Sequence, residues 1–187
     1  MAFVQGGSRG IGAAIVRRLA REGAQVAFTY VSSAGPAEAL AEEVKAAGGQ
    51  ALALRADSAD AAALQLAVDD AVKAFGRLDI LVNNAERMPF AGGAPYAMSK
   101  SALVGLTKGM ARDLGPQGIT VNNLQPGPVD TDMNPASGEF AESLIPLMAV
   151  GRYGQADEIA SFVAYLAGPE AGYITGASLT VDGGFAA

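Results

Sequence analysis

Short apolar runs alternate along the chain with longer segments in which apolar residues recur every three or four positions. This alternation predicts strands that alternate with helices. The predicted strands are Ala2–Gln5, Gln25–Tyr30, Ala51–Ala56, Leu78–Val82, Ile119–Leu124 and Ser178–Val181. The predicted helices are Ile11–Glu22, Ala37–Ala47, Ala61–Phe75, Pro95–Leu114 and Asp157–Ala167, and Pro128–Gly154 is expected to be rich in loops. The pattern predicts an α/β fold with a doubly wound parallel sheet, in a single domain over residues 1–187.

Length and composition fit one soluble domain. The chain has 187 residues, half of them apolar and only 17% charged, which is enough for one hydrophobic core. A formal net charge of −6 without a basic stripe argues against a nucleic-acid partner. No run approaches the ~20 apolar residues of a membrane span, and the N-terminus has no signal-type segment. We therefore expect a cytoplasmic protein that does not associate with membranes.

The absence of cysteine and histidine narrows the chemistry. Neither a Ser-His-Asp nor a Cys-His nucleophile system can be built, and zinc sites of the common His/Cys type are excluded. We expect no metal. Acid–base catalysis near neutral pH is left to Tyr, Lys, Asp and Glu side chains.

The segment GGSRGIG lies between the first predicted strand and the first predicted helix, where a dinucleotide pyrophosphate binds in such folds. Glycines permit a tight turn and a close approach of phosphate, and a helix N-terminus offers free N–H groups. The alternative is a plain glycine-rich turn, but the position after the first strand favours phosphate binding. The candidate cofactor-binding residues here are Gly6, Ser8, Arg9, Gly10, Ile11 and Gly12.

The end of the second predicted strand indicates which dinucleotide binds. NAD-binding sites usually carry an acidic residue there, which bonds the ribose hydroxyls. This chain has no acid until Glu38, and instead has Ser32 and Ser33. Arg9 is able to meet a 2′-phosphate, unless it is simply a solvated surface arginine. The residues therefore favour NADP(H) over NAD(H).

Tyr96 and Lys100 are four positions apart in a predicted helix, so they share one helical face. An ammonium group near the phenol favours the phenolate and lowers the tyrosine pKa. Such a tyrosine is a usable general acid for a carbonyl oxygen that receives hydride. The spacing alone is common on helix surfaces. It favours a catalytic pair here because it follows a predicted dinucleotide-binding segment in the sequence.

The segments GGSRGIG, NNA, YAMSK, QPGPVDTD and VDGG resemble those of the short-chain dehydrogenase/reductase family over nearly the whole chain. Within the family, the chain is similar to the 3-oxoacyl-acyl-carrier-protein reductase group. It is more similar still to a branch of cyclic-di-GMP-binding biofilm dispersal mediators. The resemblance implies a Rossmann fold and an NADPH-dependent oxidoreductase that transfers hydride to a ketone or 3-oxoacyl carbonyl.

The resemblance also implies roles for individual residues. Tyr96 would donate the proton, and Lys100 would hold the nicotinamide ribose and tune Tyr96. Residues 132–152 would be a substrate lid, for which the alternative is a loop with a few core contacts. The further cofactor-binding residues implied are Asp57 and Ser58 at the adenine, Asn84 and Ala85 at the riboses, and Pro126, Gly127, Val129 and Thr131 at the nicotinamide.

One helix–strand unit of the family pattern has no counterpart between Ala85 and Glu86, where NNA is followed at once by ERMPF. The catalytic serine and the asparagine of the proton relay belong to the absent part. Either the folded molecule contains residues that this sequence lacks, or the deletion is real. We favour the first, because losing a central strand would expose core worth many kcal/mol at ~25 cal/mol per Å² of apolar area, against a total stability of about 5–15 kcal/mol.

Two functions remain open at this stage. The Tyr96/Lys100 pair favours a reductase of a small carbonyl substrate. The absent serine and the dispersal-mediator resemblance favour a non-catalytic nucleotide-binding or signalling protein. Family relatives associate through the helix of the Tyr-Lys pair and through the C-terminal strand region, here Leu103, Leu106 and Met110 and the segment from Tyr173 to Val181. We expect a homo-dimer or homotetramer.

Overall fold

A computed structural model describes residues 1–83 and 94–187, with the backbone alone for 94–101. The strands are β1 Ala2–Gln5, β2 Gln25–Tyr30, β3 Gln50–Arg55, β4 Ile80–Asn83, β5 Asn123–Pro126, β6 Val129–Asp130, β7 Gly154–Gln155 and β8 Ser178–Val181. The helices are α1 Gly10–Arg21, α2 Ala34–Ala46, α3 Ala61–Phe75, α4 Ala94–Leu114, α5 Glu139–Leu144 and α6 Ala156–Ala167. The predicted alternation of strands and helices is confirmed.

Most predicted bounds lie within two residues of those in the structure, and the larger differences concern α2, β5 and the region predicted to be loop-rich. Helix α2 begins at Ala34 rather than at Ala37, because Pro36 falls in its first turn, where a missing N–H costs no intrahelical bond. Strand β5 begins at Asn123 rather than at Ile119, and just before it the Val121 N–H bonds the Thr175 hydroxyl at 3.1 Å. The region predicted to be loop-rich contains the short helix α5.

The described residues fall into two compact units. The first comprises the described residues of Met1–Glu86, together with Asp130–Pro135 and Gln155–Ala164. Its four strands are all parallel, in the order β3-β2-β1-β4. The order reverses direction at β1, as in a doubly wound sheet, which confirms the predicted fold class.

Strand β1 lies at the centre of the first unit, and its residues Ala2, Phe3 and Val4 are fully buried. Burial of consecutive residues means that both faces of this strand are covered. On one face, Phe3 packs with Ala27 of β2 and with Ala67 and Ala71 of α3. Each fully buried aromatic or branched aliphatic side chain contributes roughly 1.5–3 kcal/mol, so this core fixes the strands whose ends carry the candidate site.

Two polar contacts fix the helices of the first unit. Arg17 of α1 donates two hydrogen bonds of 2.8 Å to the carboxylate of Glu43 in α2, and these bonds hold the pKa of Glu43 below its ordinary value. Helix α3 is capped by Asp60, whose Oδ1 accepts from the N–H groups of Ala62 and Ala63 at 3.0 and 3.1 Å. The ion pair therefore ties α1 to α2, and the Asp60 cap defines the start of α3.

The second unit comprises the described residues of Arg87–Val129, Ala136–Gly154 and Tyr165–Ala187. Its strands β5 and β8 are parallel. Asn122 fixes the approach to β5, because its side chain donates to the Ile174 carbonyl at 2.8 Å and accepts from the Ala177 N–H at 3.3 Å. No helix in the described part of the chain is long and apolar enough to span a membrane.

Strand β4 lies at an edge of its sheet, because β1 is its one partner among the strands that the structure describes. Leu81 of β4 lies beside Phe3 in the sheet, yet Leu81 is 52% exposed whereas Phe3 is fully buried. An apolar side chain of a parallel strand is exposed in this way when no helix or neighbouring strand covers it. The junction of Ala85 and Glu86, where the sequence predicts the absent helix–strand unit, lies outside the described residues.

Candidate cofactor-binding site

The carboxyl ends of parallel strands lie at one edge of a sheet, and ligands bind at that edge in doubly wound folds. In the first unit, the segments that follow β1, β2 and β3 all start from this edge. They carry the predicted glycine loop, the serine pair and the Asp57-Ser58 pair. The topology therefore brings three separately predicted groups to one edge.

The glycine loop between β1 and α1 takes conformations that favour glycine. Gly6 and Gly10 have φ values of 64° and 52°, in the left-handed region. A Cβ atom on Gly7 would lie 2.5 Å from the Phe28 Cβ and 3.0 Å from the Val16 Cγ2, so a side chain has no room there. The loop is close-packed against β2 and α1, and its backbone stays open to a ligand.

Thr29 of β2 anchors this loop, and the sequence reasoning missed it. Its hydroxyl accepts a hydrogen bond from the Gly6 N–H at 3.1 Å, and its carbonyl accepts one from the Gly7 N–H at 3.0 Å. The residue is 1% exposed. A hydroxyl inside a strand of otherwise apolar buried residues was the available signal, because a buried polar group needs a partner.

The N-terminus of α1 is suited to an anion. Its cap residue Arg9 is extended and makes no side-chain capping bond, and the first turn holds no acidic residue. Arg9 itself is exposed, and it makes no ion pair with the part of the chain that the structure describes. Free N–H groups, the helix dipole and an unpaired guanidinium all favour negative charge at this point.

The segments after β2 and β3 lie next to each other. The Ala56 N–H bonds the Tyr30 carbonyl at 3.0 Å, which continues the pairing to the ends of both strands. Ser32 is exposed and Ser33 is half-buried, and Val31 alone separates them from the end of β2. Asp57 is exposed, and its Oδ1 accepts from the Ala59 N–H at 2.9 Å. Hydroxyl and carboxylate groups are thus available beside the glycine loop.

Thr131 also belongs to the glycine-loop region. A Cβ atom on Gly10 would lie 3.3 Å from the Thr131 Cγ2, so the two residues are in close proximity. Thr131 is held in a turn, in which the Asn134 N–H bonds its carbonyl at 3.0 Å and its hydroxyl at 3.2 Å. The structure thus brings together two residues that the sequence places more than a hundred positions apart.

The other residues predicted at the nicotinamide lie in the second unit. Gly127 packs on the backbone of Asp182, because a Cβ atom there would lie 2.6 Å from the Asp182 Cα. Its N–H bonds the Val181 carbonyl at 3.0 Å. Pro126 ends β5 and is exposed, whereas Val129 is buried. These contacts explain why the segment after β5 needs a glycine.

The predicted catalytic residues lie in α4, of which the structure describes the backbone around Tyr96 and Lys100. The helical backbone places the two residues about one turn apart, on the same side of the helix. The predicted ribose-binding residues Asn84 and Ala85 lie outside the described residues. Their roles, like those of Tyr96 and Lys100, stay predictions.

The predicted lid region includes helix α5 and a small apolar cluster. Ala141, Met148 and Tyr153 form this cluster and are buried. The Tyr153 hydroxyl is buried without a hydrogen-bond partner in the described part of the chain. Phe140 and Leu147, by contrast, are 57% and 59% exposed, which leaves an apolar surface on this segment. Within the described residues, no group of His, Cys, Asp and Glu side chains is arranged to hold a metal ion.

Two family models match the chain. The short chain dehydrogenase model matches residues 1–87, and the model described as Enoyl-(Acyl carrier protein) reductase matches residues 85–186. The chain belongs to the short-chain dehydrogenase/reductase family. The two matches meet at residues 85–87, where the sequence predicts the absent helix–strand unit.

Among curated relatives, the chain is 43% identical to the cyclic-di-GMP-binding biofilm dispersal mediator protein of Escherichia coli K12, covering 99% of this chain and 96% of the relative. It is 35% identical to a 3-oxoacyl-[acyl-carrier-protein] reductase of Staphylococcus aureus, over 98% of this chain and 96% of the relative. Both alignments span 237 positions, against 187 residues in this chain. The relatives therefore contain positions that this chain lacks.

Solved structures give the same assignment. A short-chain dehydrogenase/reductase from Serratia marcescens is 59% identical, with a TM-score of 0.94 over 100% of this chain and 97% of that one. A short chain dehydrogenase from Burkholderia cenocepacia in complex with NADP is 44% identical, with a TM-score of 0.94 over 100% of this chain and 97% of that one.

Proposed function

We propose that the protein is an NADPH-dependent oxidoreductase that reduces a ketone or 3-oxoacyl-type carbonyl. The observation that carries the proposal is the anion-suited edge of the first unit. There, a close-packed glycine loop and a helix N-terminus without a side-chain cap lie beside a β2 end without an acidic residue, and Arg9 makes no ion pair with residues 1–83 or 102–187. The NADP complex of the Burkholderia cenocepacia relative supports the choice of cofactor.

The residues present fit a phosphorylated dinucleotide. Gly6 and Gly10 would let the pyrophosphate approach the backbone closely, because they carry no side chains, and the α1 N-terminus would present N–H groups to it. Ser32 and Ser33 would donate hydroxyl hydrogen bonds to the 2′-phosphate, beside Arg9. Asp57 has carboxylate acceptor capacity left for the adenine amino group, since the described structure uses one of its oxygens.

When bound, a nicotinamide cofactor supplies hydride chemistry. In the proposed reaction, Tyr96 gives its phenolic proton to the carbonyl oxygen of the substrate. Lys100, one helical turn away, stabilises the phenolate that remains and so eases the transfer. Residues 132–152 would cover the substrate and exclude water from it.

This catalytic proposal applies to a molecule that contains the absent helix–strand unit, since the family's catalytic serine belongs to that unit. The protein from its natural source should then have an intact mass above the 18.8 kDa of this sequence. A molecule of 18.8 kDa with a normal bond between Ala85 and Glu86 is expected to bind nucleotide without turnover.

A non-catalytic nucleotide-binding protein is the second candidate. The absent serine and the 43% identity to the cyclic-di-GMP-binding relative favour it. An NADPH-oxidation assay with a panel of ketones, beside a calorimetric titration with cyclic-di-GMP, separates the two. The main proposal expects NADPH oxidation that depends on a ketone. Binding of cyclic-di-GMP without turnover of any ketone would support the second candidate instead.

Arg9→Ala should weaken NADPH binding by ~1.5–3 kcal/mol and leave NADH binding almost unchanged, because a charge-assisted bond to the 2′-phosphate is lost. Dissociation constants for both cofactors, measured by fluorescence titration, check this expectation. Arg21→Ala is the matched control, because it removes an exposed arginine at the opposite end of α1, about 18 Å along the helix axis. Equal losses for NADPH and NADH in Arg9→Ala would refute the assignment.

We further propose that residues 1–187 form a single cytoplasmic domain that assembles as a homo-dimer or homotetramer. The exposure of Leu103, Leu106 and Met110, at 41%, 56% and 37%, supports association through α4. The exposed Tyr173 supports association through the C-terminal region as well. Light scattering at micromolar concentration should give two or four times the chain mass. A monomer would show that these apolar residues have another role.

A further inference from the structure

Arg55 is the last residue of β3, and its guanidinium reaches across to the neighbouring strand. Its Nε donates a hydrogen bond of 3.3 Å to the Val31 carbonyl, immediately after the end of β2. The backbone register supports this crossing, because Arg55 is the direct partner of Tyr30 in the parallel pair of β2 and β3. The guanidinium therefore lies beside the segment that begins with Ser32 and Ser33.

The remaining donors of Arg55 are available to a ligand. The side chain is exposed, and it makes no ion pair in the part of the chain that the structure describes. A guanidinium has five N–H donors in a planar fork, and the Val31 bond uses the Nε donor. The two Nη groups are thus free to bind the oxygens of one phosphate. Arg17 and Arg18 differ, because carboxylates already occupy both of them.

This guanidinium lies where the 2′-phosphate of a bound NADPH is expected, and that phosphate is what distinguishes NADPH from NADH. The adenosine ribose lies at the end of the second strand in dinucleotide-binding folds, where an acid selects NAD and a nearby arginine accommodates the 2′-phosphate. Here the end of β2 carries no acid, and one hydrogen bond of 3.3 Å directs Arg55 toward it. A guanidinium that already points toward the site loses less side-chain freedom on binding phosphate than one that does not.

We propose that Arg55 is a second determinant of NADPH specificity, which binds the 2′-phosphate from the β3 side of the site. The inference rests on the proposed NADPH-dependent function. It adds a cationic side chain on β3 to the groups that the glycine loop and the serine pair, Ser32 and Ser33, offer to the cofactor. A purely structural role would tie the Val31 segment to β3 and would affect both cofactors equally.

The test compares ligands with and without the 2′-phosphate. Adenosine 2′,5′-bisphosphate and adenosine 5′-monophosphate are titrated into the wild type, Arg55→Gln and the control Arg21→Gln, together with NADPH and NADH. Arg55→Gln should weaken the bisphosphate and NADPH about 10- to 100-fold, and the other two ligands less than about 3-fold. Arg21→Gln should leave all four affinities within about 2-fold, because only long-range, screened charge is lost.

Each other outcome contradicts the proposal in a recognisable way. Equal weakening of all four ligands by Arg55→Gln, with a lower thermal midpoint, would show a structural tie. Unchanged affinities in Arg55→Gln would show that Arg55 has no part in the site, while the NADPH-dependent function would stand. A wild-type protein that binds neither NADPH nor the bisphosphate would overturn the proposed function and this inference together.

Discussion

Replacing Tyr96 by phenylalanine should lower turnover at least ~100-fold and leave the affinity for NADPH almost unchanged. The substitution keeps the aromatic ring and removes the phenolic proton, which the proposed reaction delivers to the carbonyl oxygen. Because the loss concerns a group that acts in the transition state, kcat should fall far more than the dissociation constant of the cofactor rises. Steady-state NADPH oxidation and fluorescence titration measure the two quantities on one preparation.

Tyr173→Phe provides the matched control for this experiment. Tyr173 is fully exposed, so removing its hydroxyl tests the generic effect of a tyrosine-to-phenylalanine change. We expect wild-type turnover in the control. Wild-type turnover in Tyr96→Phe as well would mean that another group donates the proton.

The second large effect concerns stability. Gly7→Ala should lower the free energy of unfolding by about 1–3 kcal/mol, because its Cβ atom would meet Phe28 at 2.5 Å and Val16 at 3.0 Å. Both neighbours are fully buried, and the Gly7 N–H is bonded to the Thr29 carbonyl, so neither side moves away easily. The shifted loop should also bind NADPH less tightly. Denaturant unfolding of the variant and the wild type measures the loss.

Gly35→Ala serves as the comparison for Gly7→Ala. Gly35 lies in the first turn of α2, and no atom lies within 4 Å of the Cβ that a substitution would add. The same chemical change should therefore leave the free energy of unfolding unchanged or raise it by up to about 1 kcal/mol. If Gly7→Ala were as stable as Gly35→Ala, the close packing of the glycine loop would be refuted.

The fold class was predictable because local pattern and topology agree. Buried strands such as Gln25–Tyr30 contain short apolar runs, and α3 was predicted with its observed bounds, its end being marked by Gly76. The glycine loop was recognisable because a backbone that turns tightly and approaches a phosphate closely needs glycine residues. Helix α5 was missed, since six residues are too short for an apolar period to stand out.

The contacts that support the candidate site were less predictable. Thr29 and Arg55 act through neighbouring strands, and only the register of the parallel pairs shows what they meet. Thr131 lies against Gly10, a contact between two segments that are far apart in the sequence. Its role at the cofactor was implied by family resemblance, but this contact was not predicted. Long-range pairing of this sort is a property of the folded chain, which spacing along the sequence does not encode.

The predicted absence of a helix–strand unit has a structural counterpart. Leu81 is half exposed beside the buried Phe3, and the described part of the chain supplies no strand to the outer edge of β4. Apolar surface of this kind is normally covered in a parallel sheet. The same missing segment would carry the catalytic serine, so completeness of the sheet and completeness of the active site are linked.

NADPH oxidation by the natural protein, with a panel of ketones that includes a 3-oxoacyl thioester, tests the proposed reductase activity. At least one ketone should be converted to its alcohol, with one NADPH consumed for each alcohol formed. Binding of NADPH at one site per chain without turnover of any ketone would refute the reductase and would leave a nucleotide-binding protein on a reductase fold.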